Sequence, residues 1–593
     1  TGLPRVVSIG NSLARGMRQA SDFLMALQLT GASKQSSIAN LQVRLPAVVV
    51  GETPDFTPLL QAWGGVTIAY RKGLNDSPAY TRNHEEVAKA TEEGIRYAEG
   101  LDPIHCEVDD HGDVRTLICR RMENQGGRWL AGREEVHLPA RAVFVAAGTV
   151  PNTIYEREYP GTFALNKDFF ESHVEHHDRL QPVAEAEHAK SHEFGPFTSY
   201  NRGGHKVSFI GDTHPAFHGS VVKAIASSMR TYPQIVDALG STPRDSEDER
   251  DSFGSLREVA DLFEATVVSV NISDTAMAEV SVRAPMAARN FRPGQFYRLQ
   301  TLESLSPLVE NTRLQVPLLT VSGTGVKGDM IRLMVLQFGA GPRLVGRLQP
   351  GDPIVLMGPT GKPTEIPANE TVMVVAGRWG AAAMLDIGPA LREAGNRVLY
   401  IAAFGSAGDV DLQPELEAGA DQVVWATASE PTIPANRPRD RSVVATDMVE
   451  VVRQYGDGEI AGEHTIDLQQ VEHILVMGGT GLLRGFQSAL TEGALTDYFR
   501  AGIEAMGTAG SPMQCMLKGV CAQCLQWQKD PETGERTRPV FSCSEQDQPL
   551  AWIDLDNLQA RQQQNRLPDR ITAMWPDYVL AHEDAKPSDA PAG

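Results

Sequence analysis

Four of the six cysteines lie near the C-terminal end of the chain, in the order Cys515-x5-Cys521-x2-Cys524-x18-Cys543. Six cysteines are too few for a disulfide framework in 593 residues, so a local group of thiols indicates a metal site. Three thiolates in one loop and a fourth from downstream can surround two irons, but four thiolates also suit structural zinc. The spacing therefore predicts a four-cysteine site and leaves its metal open. The other two, Cys106 and Cys119, lie in apparent strands and are predicted to be packing thiols.

The segment between Cys524 and Cys543 predicts how the fourth cysteine returns to the first three. It reads LQWQ at 525–528, a turn-rich DPETGE at 530–535, and RPVF at 538–541. A strand, a turn and a second strand form a hairpin, and a hairpin brings its two ends together. We therefore expect Cys543 to lie beside the other cysteines.

Residues 262–550, which contain these cysteines, carry a series of further motifs. Alternating strands with Gly and Pro punctuation predict a small antiparallel barrel, and an α/β pattern follows it. The motifs are FRPGQF at 291–296, VPLLTV at 316–321, LQPGD at 348–352, GPTG at 358–361 and VVAGRWGAA at 374–382. On these motifs the stretch resembles the electron-transfer subunit of dihydroorotate dehydrogenase, within the ferredoxin–NADP reductase superfamily.

The resemblance implies an FAD-binding barrel, a nucleotide-binding domain and a 2Fe–2S cluster. Pro317, Leu318 and Thr320 lie where the family has its Arg-Pro-x-Ser flavin motif. Gly377 and Gly380 lie in the place of the Gly-rich nicotinamide turn. The family has four cysteines directly after the nucleotide domain, which favours iron and sulfur over zinc as the group held by Cys515, Cys521, Cys524 and Cys543.

The sequence also departs from this family at three positions and in one spacing, since five residues separate Cys515 from Cys521 where the family has four. Val316 replaces the flavin arginine and so removes a donor for the FAD pyrophosphate. Arg378 and Trp379 stand in the Gly-rich turn where two small residues are usual. A bulky indole there is expected to obstruct the close approach of a dinucleotide.

Residues 40–235 carry a different set of motifs. They are GVTIAYRK at 65–72, a Glu-rich helix with a Glu-Glu-Gly turn at 84–95, AAGTVPN at 146–152, FIGD at 209–212 and GSVVKA at 219–224. On these motifs the stretch resembles the small subunit of glutamate synthase and related FAD-dependent pyridine-nucleotide oxidoreductases. The resemblance implies a second FAD site.

The site residues of this half follow from the resemblance. Asp212, after Gly211, would accept a hydrogen bond from the ribityl chain, and the helix N-terminus at Ser220 and Val221 would face the pyrophosphate. Gly148 lies at the crossover between the nucleotide and flavin domains. Basic residues accommodate the 2′-phosphate of NADP, so the strand end that follows Tyr70 favours NADPH. Its two cations are Arg71 and Lys72.

One expected motif is missing from the first half. The strand AVVV at 47–50 is followed by Gly51, but Glu52, Thr53 and Pro54 come next. Proline and acids would spoil a phosphate-cradling Gly-x-Gly-x-x-Gly turn. We therefore expect either a fragment of a longer flavoprotein half or a degenerate half that needs a partner.

Length and composition set the frame for these sites. A chain of 593 residues predicts roughly three to five domains. Its net charge of −21 argues against nucleic-acid binding, which needs a basic face. No apolar run approaches the length of a membrane span, and the N-terminus lacks a signal-peptide layout. These features predict a soluble, cytoplasmic protein.

The predicted fold class is multidomain, α/β and β. A partial Rossmann-like FAD/NAD(P) module precedes an antiparallel flavin-binding β-barrel, an α/β nucleotide-binding domain and a small 2Fe–2S domain. The predicted segments are 1–46 (N-terminal segment), 47–150 (NAD(P)-binding-like), 151–239 (C-terminal part of the FAD domain), 240–261 (linker), 262–367 (barrel), 368–505 (nucleotide domain), 506–550 (2Fe–2S domain) and 551–593 (tail).

The sequence predicts an oxidoreductase that passes electrons from NAD(P)H through one or two FAD to a 2Fe–2S cluster. The final acceptor is expected on a redox partner such as ferredoxin or a catalytic subunit, in an oligomer or hetero-complex. The two halves together resemble the two subunits of NADH-dependent ferredoxin:NADP oxidoreductases, which leaves electron bifurcation open. The alternative is a non-catalytic scaffold with vestigial nucleotide sites and a four-cysteine zinc site.

Overall fold

The computed structural model describes residues 2–12, 14–29, 48–50, 53–55, 57–177, 179–184, 189–219, 221–240, 249–273, 277–309, 312–491, 493–509, 519–522, 524–563 and 566–584. The chain divides into two units. The first comprises Thr1–Asn152 and Ala164–Ala238, and the second comprises Thr153–Phe163 and Leu239–Gly593. No helix in the described part of the chain is long and apolar enough to cross a membrane.

The helices are α1 (Ala20–Leu29), α2 (Thr57–Ala62), α3 (Pro78–Glu92), α4 (Ile154–Glu158), α5 (Val221–Leu239), α6 (Glu249–Phe263), α7 (Pro285–Ala288), α8 (Ala340–Val345), α9 (Arg378–Glu393), α10 (Gln413–Ala418), α11 (Met448–Gly456), α12 (Thr480–Thr491), α13 (Leu555–Gln563) and α14 (Arg566–Asp584). The strands before residue 210 are β1 (Gly2–Pro4), β2 (Met17–Gln19), β3 (Val48–Val50), β4 (Thr53–Asp55), β5 (Thr67–Tyr70), β6 (Arg96–Glu99), β7 (Leu101–Val108), β8 (Val114–Gln125), β9 (Arg128–Pro139), β10 (Val143–Val145), β11 (Thr149–Pro151), β12 (Leu165–Asn166), β13 (Phe169–Phe170), β14 (His173–His176), β15 (Arg179–Pro182), β16 (Phe197–Arg202) and β17 (His205–Ser208).

The strands of the second unit are β18 (Ala265–Ile272), β19 (Met277–Arg283), β20 (Phe296–Thr301), β21 (Leu308–Val309), β22 (Thr312–Arg313), β23 (Leu319–Lys327), β24 (Met330–Leu336), β25 (Pro353–Thr360), β26 (Thr371–Gly377), β27 (Arg397–Phe404), β28 (Gln422–Thr427), β29 (Arg441–Val444), β30 (His473–Gly478), β31 (Glu504–Ala509), β32 (Leu525–Lys529), β33 (Arg536–Phe541) and β34 (Asp547–Pro549).

The first unit is built from small sheets. Its largest are the three-stranded antiparallel sheet β7–β8–β9 and the four-stranded sheet β15–β14–β16–β17. Strands β5 and β6 pair in parallel and flank α3, which is a βαβ arrangement. Cys106 and Cys119 are fully buried in its core, as predicted, and burial raises the pKa of each thiol to about 11.

The sequence predicts buried strands of one parallel sheet at 47–50, 66–70 and 142–146, and this prediction is wrong in part. In the described residues β3 pairs only with β4, and antiparallel, while β10 pairs in parallel with β2. The side chains of Val66 and Ile68 are 41% and 40% exposed. These strands have too few neighbours to be covered on both faces.

The barrel of the second unit confirms the prediction for this region. Six antiparallel strands close in the order β18–β19–β24–β23–β20–β25, and β25 pairs back to β18. Inward side chains fill the barrel because alternate residues of each strand face the same side. Tyr297, Leu299 and Leu333 have no exposed surface.

A seven-stranded sheet follows the barrel, in the order β29–β28–β27–β26–β30–β31–β34. All pairs are parallel except β31 with β34. The central strands are buried on both faces, since Val374, Ile401 and Val476 have no exposed surface. The sheet includes residues on both sides of the predicted boundary between 505 and 506.

Two segments predicted to be a linker and a tail contain helices, and the helix of the tail packs on the barrel. Helix α6 occupies most of the linker at 240–261. Helix α14 extends through 566–584, where Val579 is fully buried in the barrel core and Arg343 pairs with Asp577. Apolar residues at helical spacing lie among the polar residues of α14, and Val579 is the one that the barrel buries. In α6 the apolar side chains of Leu256, Val259 and Phe263 stay exposed.

Candidate functional site

The flavin motif of the second half leads into barrel strand β23. Val316 is 1% exposed and packs in the barrel core, and its N–H donates to the Thr301 hydroxyl at 2.8 Å. The residue that replaces the family's arginine is therefore a core residue and offers no charge to a ligand. Leu318 is buried beside it, and Thr320 begins the part of β23 that borders a cavity.

This cavity, of about 150 Å³, lies where the barrel, the sheet and the cysteine segment meet; we call it the central cavity. Its walls combine main chain and side chains from all three. They include Gly294, Gln295, Phe296, Thr320, Ser322, Thr364, Trp379, Asp386, Met477, Thr508, Cys524, Cys543, Gln546 and Asp547. The cavity therefore joins the predicted flavin motif to two of the predicted metal ligands.

Cys524 and Cys543 lie next to each other at the base of the hairpin β32–β33. The hairpin pairs Leu525 with Phe541, which confirms the predicted strand–turn–strand. The two cysteines are 5% and 3% exposed, and a side-chain hydrogen bond joins them. This contact, together with burial, raises the pKa of the Cys524 thiol well above its ordinary value. The Gly519 N–H donates to Cys543 Sγ at 3.1 Å.

The other two predicted ligands, Cys515 and Cys521, are not seen to join this pair in the described residues. Cys521 is fully buried, but it does not join the pair, because no three His, Cys, Asp or Glu side chains of the described ranges form a metal-binding group. Cys515 lies outside the described residues. Two converging thiols and an N–H···S hydrogen bond suit a thiolate-bound metal, since a cation stabilises the deprotonated sulfurs that burial alone disfavours. These two thiols could supply two of the four sulfur ligands that an iron or zinc centre of this kind needs.

A second space, of about 420 Å³, opens at the carboxyl ends of the parallel strands; we call it the switch-point crevice. Strand β26 has β27 on one side and β30 on the other, so the strand order reverses between β26 and β30. The helices that follow these two strands, α9 and α12, begin there. This is the place where open α/β sheets bind dinucleotides, with phosphates at helix N-termini.

The glycines of the crevice differ in what they do. A Cβ on Gly380 would approach Met477 O at 2.6 Å, so this glycine serves the close packing of α9 on β30. Gly377 likewise faces Ala403 O at 3.0 Å. Gly479 and Gly481 have nothing within 4 Å of an added Cβ, so their backbone is open to a ligand. The sequence reading missed these two, although GGTG directly after an apolar strand was a visible signal.

Trp379 lines both the central cavity and the switch-point crevice, and it packs against the core of the sheet. The neighbouring Arg378 pairs with Asp409 at 3.7 Å and lies over the Phe338 ring at 5.1 Å. The indole is thus a wall shared by the two spaces. Arg378 and Trp379, which the sequence predicts to obstruct a dinucleotide, line the crevice without closing it.

The predicted site of the first half rests on separate loops of the first unit. Arg71 is exposed and Lys72 half-buried, directly after β5. Asp212 Oδ1 accepts from the Gly219 N–H at 3.0 Å, and the Gly211 N–H donates to Ser227 Oγ at 2.8 Å. Asp212 therefore holds its own loop together, and its role toward a flavin stays a prediction.

The other residues predicted for the first half are placed as follows. Gly148 has a φ of +85° and its carbonyl accepts from the Arg5 N–H. Val221 begins α5 and is 76% exposed, while Ser220 lies outside the described residues.

His214 follows this loop and is fully buried. Its Nε2 lies 3.0 Å from Gly195 O, and its Nδ1 accepts from the Ala216 N–H at 3.2 Å. The ring stacks on Phe209 with centroids 4.4 Å apart. Burial lowers the pKa of His214 to about 4, so the ring is neutral at physiological pH.

Comparison with known proteins finds sequence similarity to electron-transfer subunits of dihydroorotate dehydrogenase. No family model matches the chain. A dihydroorotate dehydrogenase B (NAD+) electron transfer subunit homolog of Thermotoga maritima is 30% identical over 121 residues, which cover 20% of this chain and 40% of that protein. The electron transfer subunit of Geobacillus thermodenitrificans is 26% identical over 156 residues, 26% of this chain and 58% of that protein. The chain thus spans about half the length of these two relatives.

A match over nearly the whole chain is an uncharacterized protein of Rickettsia prowazekii, 24% identical over 638 residues, 96% of this chain and 72% of that protein. Among solved structures, an NADH-dependent reduced ferredoxin–NADP oxidoreductase aligns with 52% of this chain and 96% of its own at 17% identity and a TM-score of 0.40. A ferredoxin NADP+ reductase of Neisseria gonorrhoeae with bound FAD and NADP covers 42% of this chain and 98% of its own at 19% identity and a TM-score of 0.32.

Proposed function

We propose that this chain is a flavin-dependent oxidoreductase that takes electrons from a reduced pyridine nucleotide and passes them, through a cysteine-bound 2Fe–2S centre, to a protein partner. The observation that carries the proposal is the central cavity. Barrel residue Thr320 and the thiols of Cys524 and Cys543 border the same space. The sequence similarity of part of the chain to dihydroorotate dehydrogenase electron-transfer subunits supports the same conclusion.

The residues of the chain have separate tasks in this proposal. FAD, when bound, supplies hydride acceptance and single-electron release, and a thiolate-held 2Fe–2S centre supplies one-electron transfer. The barrel residues Pro317, Leu318 and Thr320 would hold the flavin at the edge of the central cavity. Cys524 and Cys543 would supply two ligands of the cluster, and the Gly519 N–H would hydrogen-bond a ligand sulfur. The other two ligands predicted from the sequence are Cys515 and Cys521, and Cys521 would have to approach the pair.

The pyridine nucleotide is proposed to bind in the switch-point crevice. Two helix N-termini and the open backbone of Gly479 and Gly481 suit a pyrophosphate. Trp379 separates this crevice from the central cavity, so the reacting ring must pass or displace the indole to reach a flavin there. The sequence favours a nucleotide site in the first half, where Arg71 and Lys72 follow a strand. The switch-point crevice instead supports a nucleotide site in the second half, and we adopt this second assignment.

The electron acceptor is proposed to be a separate protein, a ferredoxin or a catalytic subunit, in a hetero-complex. Electron bifurcation would need a second flavin, which the sequence predicts in the first half. It therefore depends on both halves binding FAD. The compartment is proposed to be the cytoplasm.

The test is the cofactor content of the full chain purified without oxygen. We expect FAD, iron and sulfide to copurify, and NADH or NADPH to bleach the visible flavin absorbance. Reduction should then produce the paramagnetic signal of a reduced 2Fe–2S centre. A colourless protein that holds stoichiometric zinc would instead establish the scaffold alternative, and two FAD per chain would support a flavin in each half.

A further inference from the structure

Asp386 lies in the middle of α9 and borders the central cavity. It is 8% exposed. Its Oδ2 accepts from the Gly294 N–H at 2.9 Å, while its Oδ1 is buried and has no hydrogen-bond partner. An unpartnered buried carboxyl oxygen is costly, so its retention beside a cavity calls for a ligand or a proton there.

Gln546 repeats this arrangement from the opposite side of the same turn. Its Nε2 donates to Gly294 O, and its Oε1 is buried without a partner. Gln546 also borders the central cavity. The Gly294 peptide is thus held at its N–H by Asp386 and at its carbonyl by Gln546, and each holding side chain keeps one oxygen unused.

The turn that carries Gly294 is closely packed. A Cβ on Gly294 would collide with Thr364, whose hydroxyl donates to Asp547 Oδ2 at 2.7 Å. Asp547 also accepts from Thr508, so this neighbouring carboxylate has both oxygens engaged. Asp386 and Gln546 therefore differ from Asp547, because each retains a buried oxygen without a hydrogen-bond partner.

Asp386 also exists in part as the protonated acid, a hydrogen-bond donor, at neutral pH. Burial raises its pKa to about 7, against the lowering effect of the Gly294 N–H. A protonated carboxyl beside a carboxamide offers one O–H donor and one carbonyl acceptor. That pair matches a heteroaromatic ring edge that carries a carbonyl next to a ring N–H, as the pyrimidine edge of a flavin does.

We propose that Asp386 and Gln546 are the positioning residues that hydrogen-bond the polar edge of the flavin ring in the central cavity. This inference rests on the proposed function and adds the location and orientation of the ring. Asp386 would donate to a ring carbonyl, and Gln546 would accept from the ring N–H. The ring would then lie between the barrel, Trp379 and the cysteine pair.

The experiment titrates flavin-free full chain with FAD and, separately, with riboflavin, which has the ring without the adenylate. Asp386→Leu and Gln546→Leu each remove one hydrogen bond and should weaken riboflavin about three- to tenfold. Asp386→Asn keeps a donor and an acceptor at this position and should stay within about twofold of the wild type. The reduction potential of bound FAD should fall in Asp386→Leu, because a donor to the ring stabilises its electron-rich form, and should recover in Asp386→Asn.

Asp440→Asn is the matched control, since this buried carboxylate lies in the same sheet domain but is paired with Arg437 away from the cavity. It should alter neither riboflavin affinity nor potential. If Asp386→Leu does not fold, Gln546→Leu and Asp386→Asn still decide the matter. Wild-type affinity and potential in both leucine variants would overturn this inference alone. A wild-type chain that binds no flavin would overturn the proposed function and this inference together.

Discussion

Cys524 and Cys543 are joined by a side-chain hydrogen bond although 18 residues separate them in the sequence. The hairpin β32–β33 brings them together at its base, and both thiols border the cavity that the barrel strand β23 also lines. This relationship links the two halves of the proposed chemistry, the flavin motif and the metal ligands.

Cys524→Ser and Cys543→Ser should each abolish bound iron and the paramagnetic signal of the reduced cluster. A serine hydroxyl does not replace a thiolate as a ligand for this kind of centre. Metal analysis and low-temperature paramagnetic resonance on the purified variants measure the loss. Cys106→Ser is the control, because this thiol is buried in the first unit and should leave iron content unchanged. Unchanged iron in both hairpin variants would contradict the assignment.

Gly479→Val should prevent pyridine-nucleotide binding without unfolding the protein. An added Cβ at this position meets no atom within 4 Å, so we expect stability to change by only about 0.5 kcal/mol while the side chain fills part of the crevice. We expect NADH affinity to fall at least about tenfold, which corresponds to about 1.4 kcal/mol. Titration of the oxidised protein with NADH and thermal unfolding measure the two effects.

Gly380→Ala is the contrasting variant for the same crevice. Its Cβ would press on Met477 O at 2.6 Å, so we expect destabilisation of about 1–3 kcal/mol. A Gly479→Val protein with normal NADH affinity and normal turnover would move the nucleotide site out of the second half.

Arg71→Ala tests the site predicted for the first half. If the exposed strand end after β5 contacts the 2′-phosphate, NADPH should lose about tenfold in affinity through the lost charged hydrogen bond. NADH should be unaffected, because it lacks that phosphate. We expect the affinity for NADPH and for NADH to stay unchanged, since the proposed nucleotide site is the switch-point crevice. A selective loss of NADPH would instead establish the first half as the hydride-accepting module.

The first unit should lose stability as the pH falls from about 6.5 to about 4. His214 has an ordinary pKa near 6.5 when unfolded and about 4 when folded, so the unfolded chain takes up a proton first. Protonation would also turn Nδ1, which accepts from the Ala216 N–H, into a donor. The stability contributed by the neutral ring is complete above pH 6.5 and should fall by about 3 kcal/mol through this window.

His214→Gln should remove this part of the pH dependence, because a carboxamide does not titrate. Denaturant unfolding at several pH values, followed by a probe in the first unit, measures it. Equal pH dependence in the variant and the wild type would show that other groups govern acid unfolding of this unit.

The sequence predicts well where its signals are local. The β-branched runs with Gly and Pro turns between 262 and 367 predict the barrel, and the strand–turn–strand pattern after Cys524 predicts the hairpin. Both predictions use residues that are close together in the sequence, so they do not depend on knowing the tertiary structure. The buried state of Cys106 and Cys119 follows for the same reason, from their places in apolar strands.

The sequence predicts poorly where the partner of a segment is distant. The strands at 47–50 and 66–70 look like members of one parallel sheet, but their pairing depends on which neighbours are present. The sequence does not predict α14 in the tail, because this helix is stabilised by packing of Val579 on the distant barrel. Trp379 looks like an obstruction in a linear motif, and only its packing turns it into a wall between two spaces.

By itself, the sequence determined the cysteine spacing, the barrel and the α/β pattern, and so the class of chemistry to expect. The tertiary structure decided which of these residues meet. Long-range packing brings Asp386 on α9, Gly294 before the barrel strand β20 and Gln546 after the hairpin to one turn, although more than 250 residues separate the last two. Burial and hydrogen bonding at that turn arise from the closure of distant segments on one another, and no spacing rule in the chain encodes them.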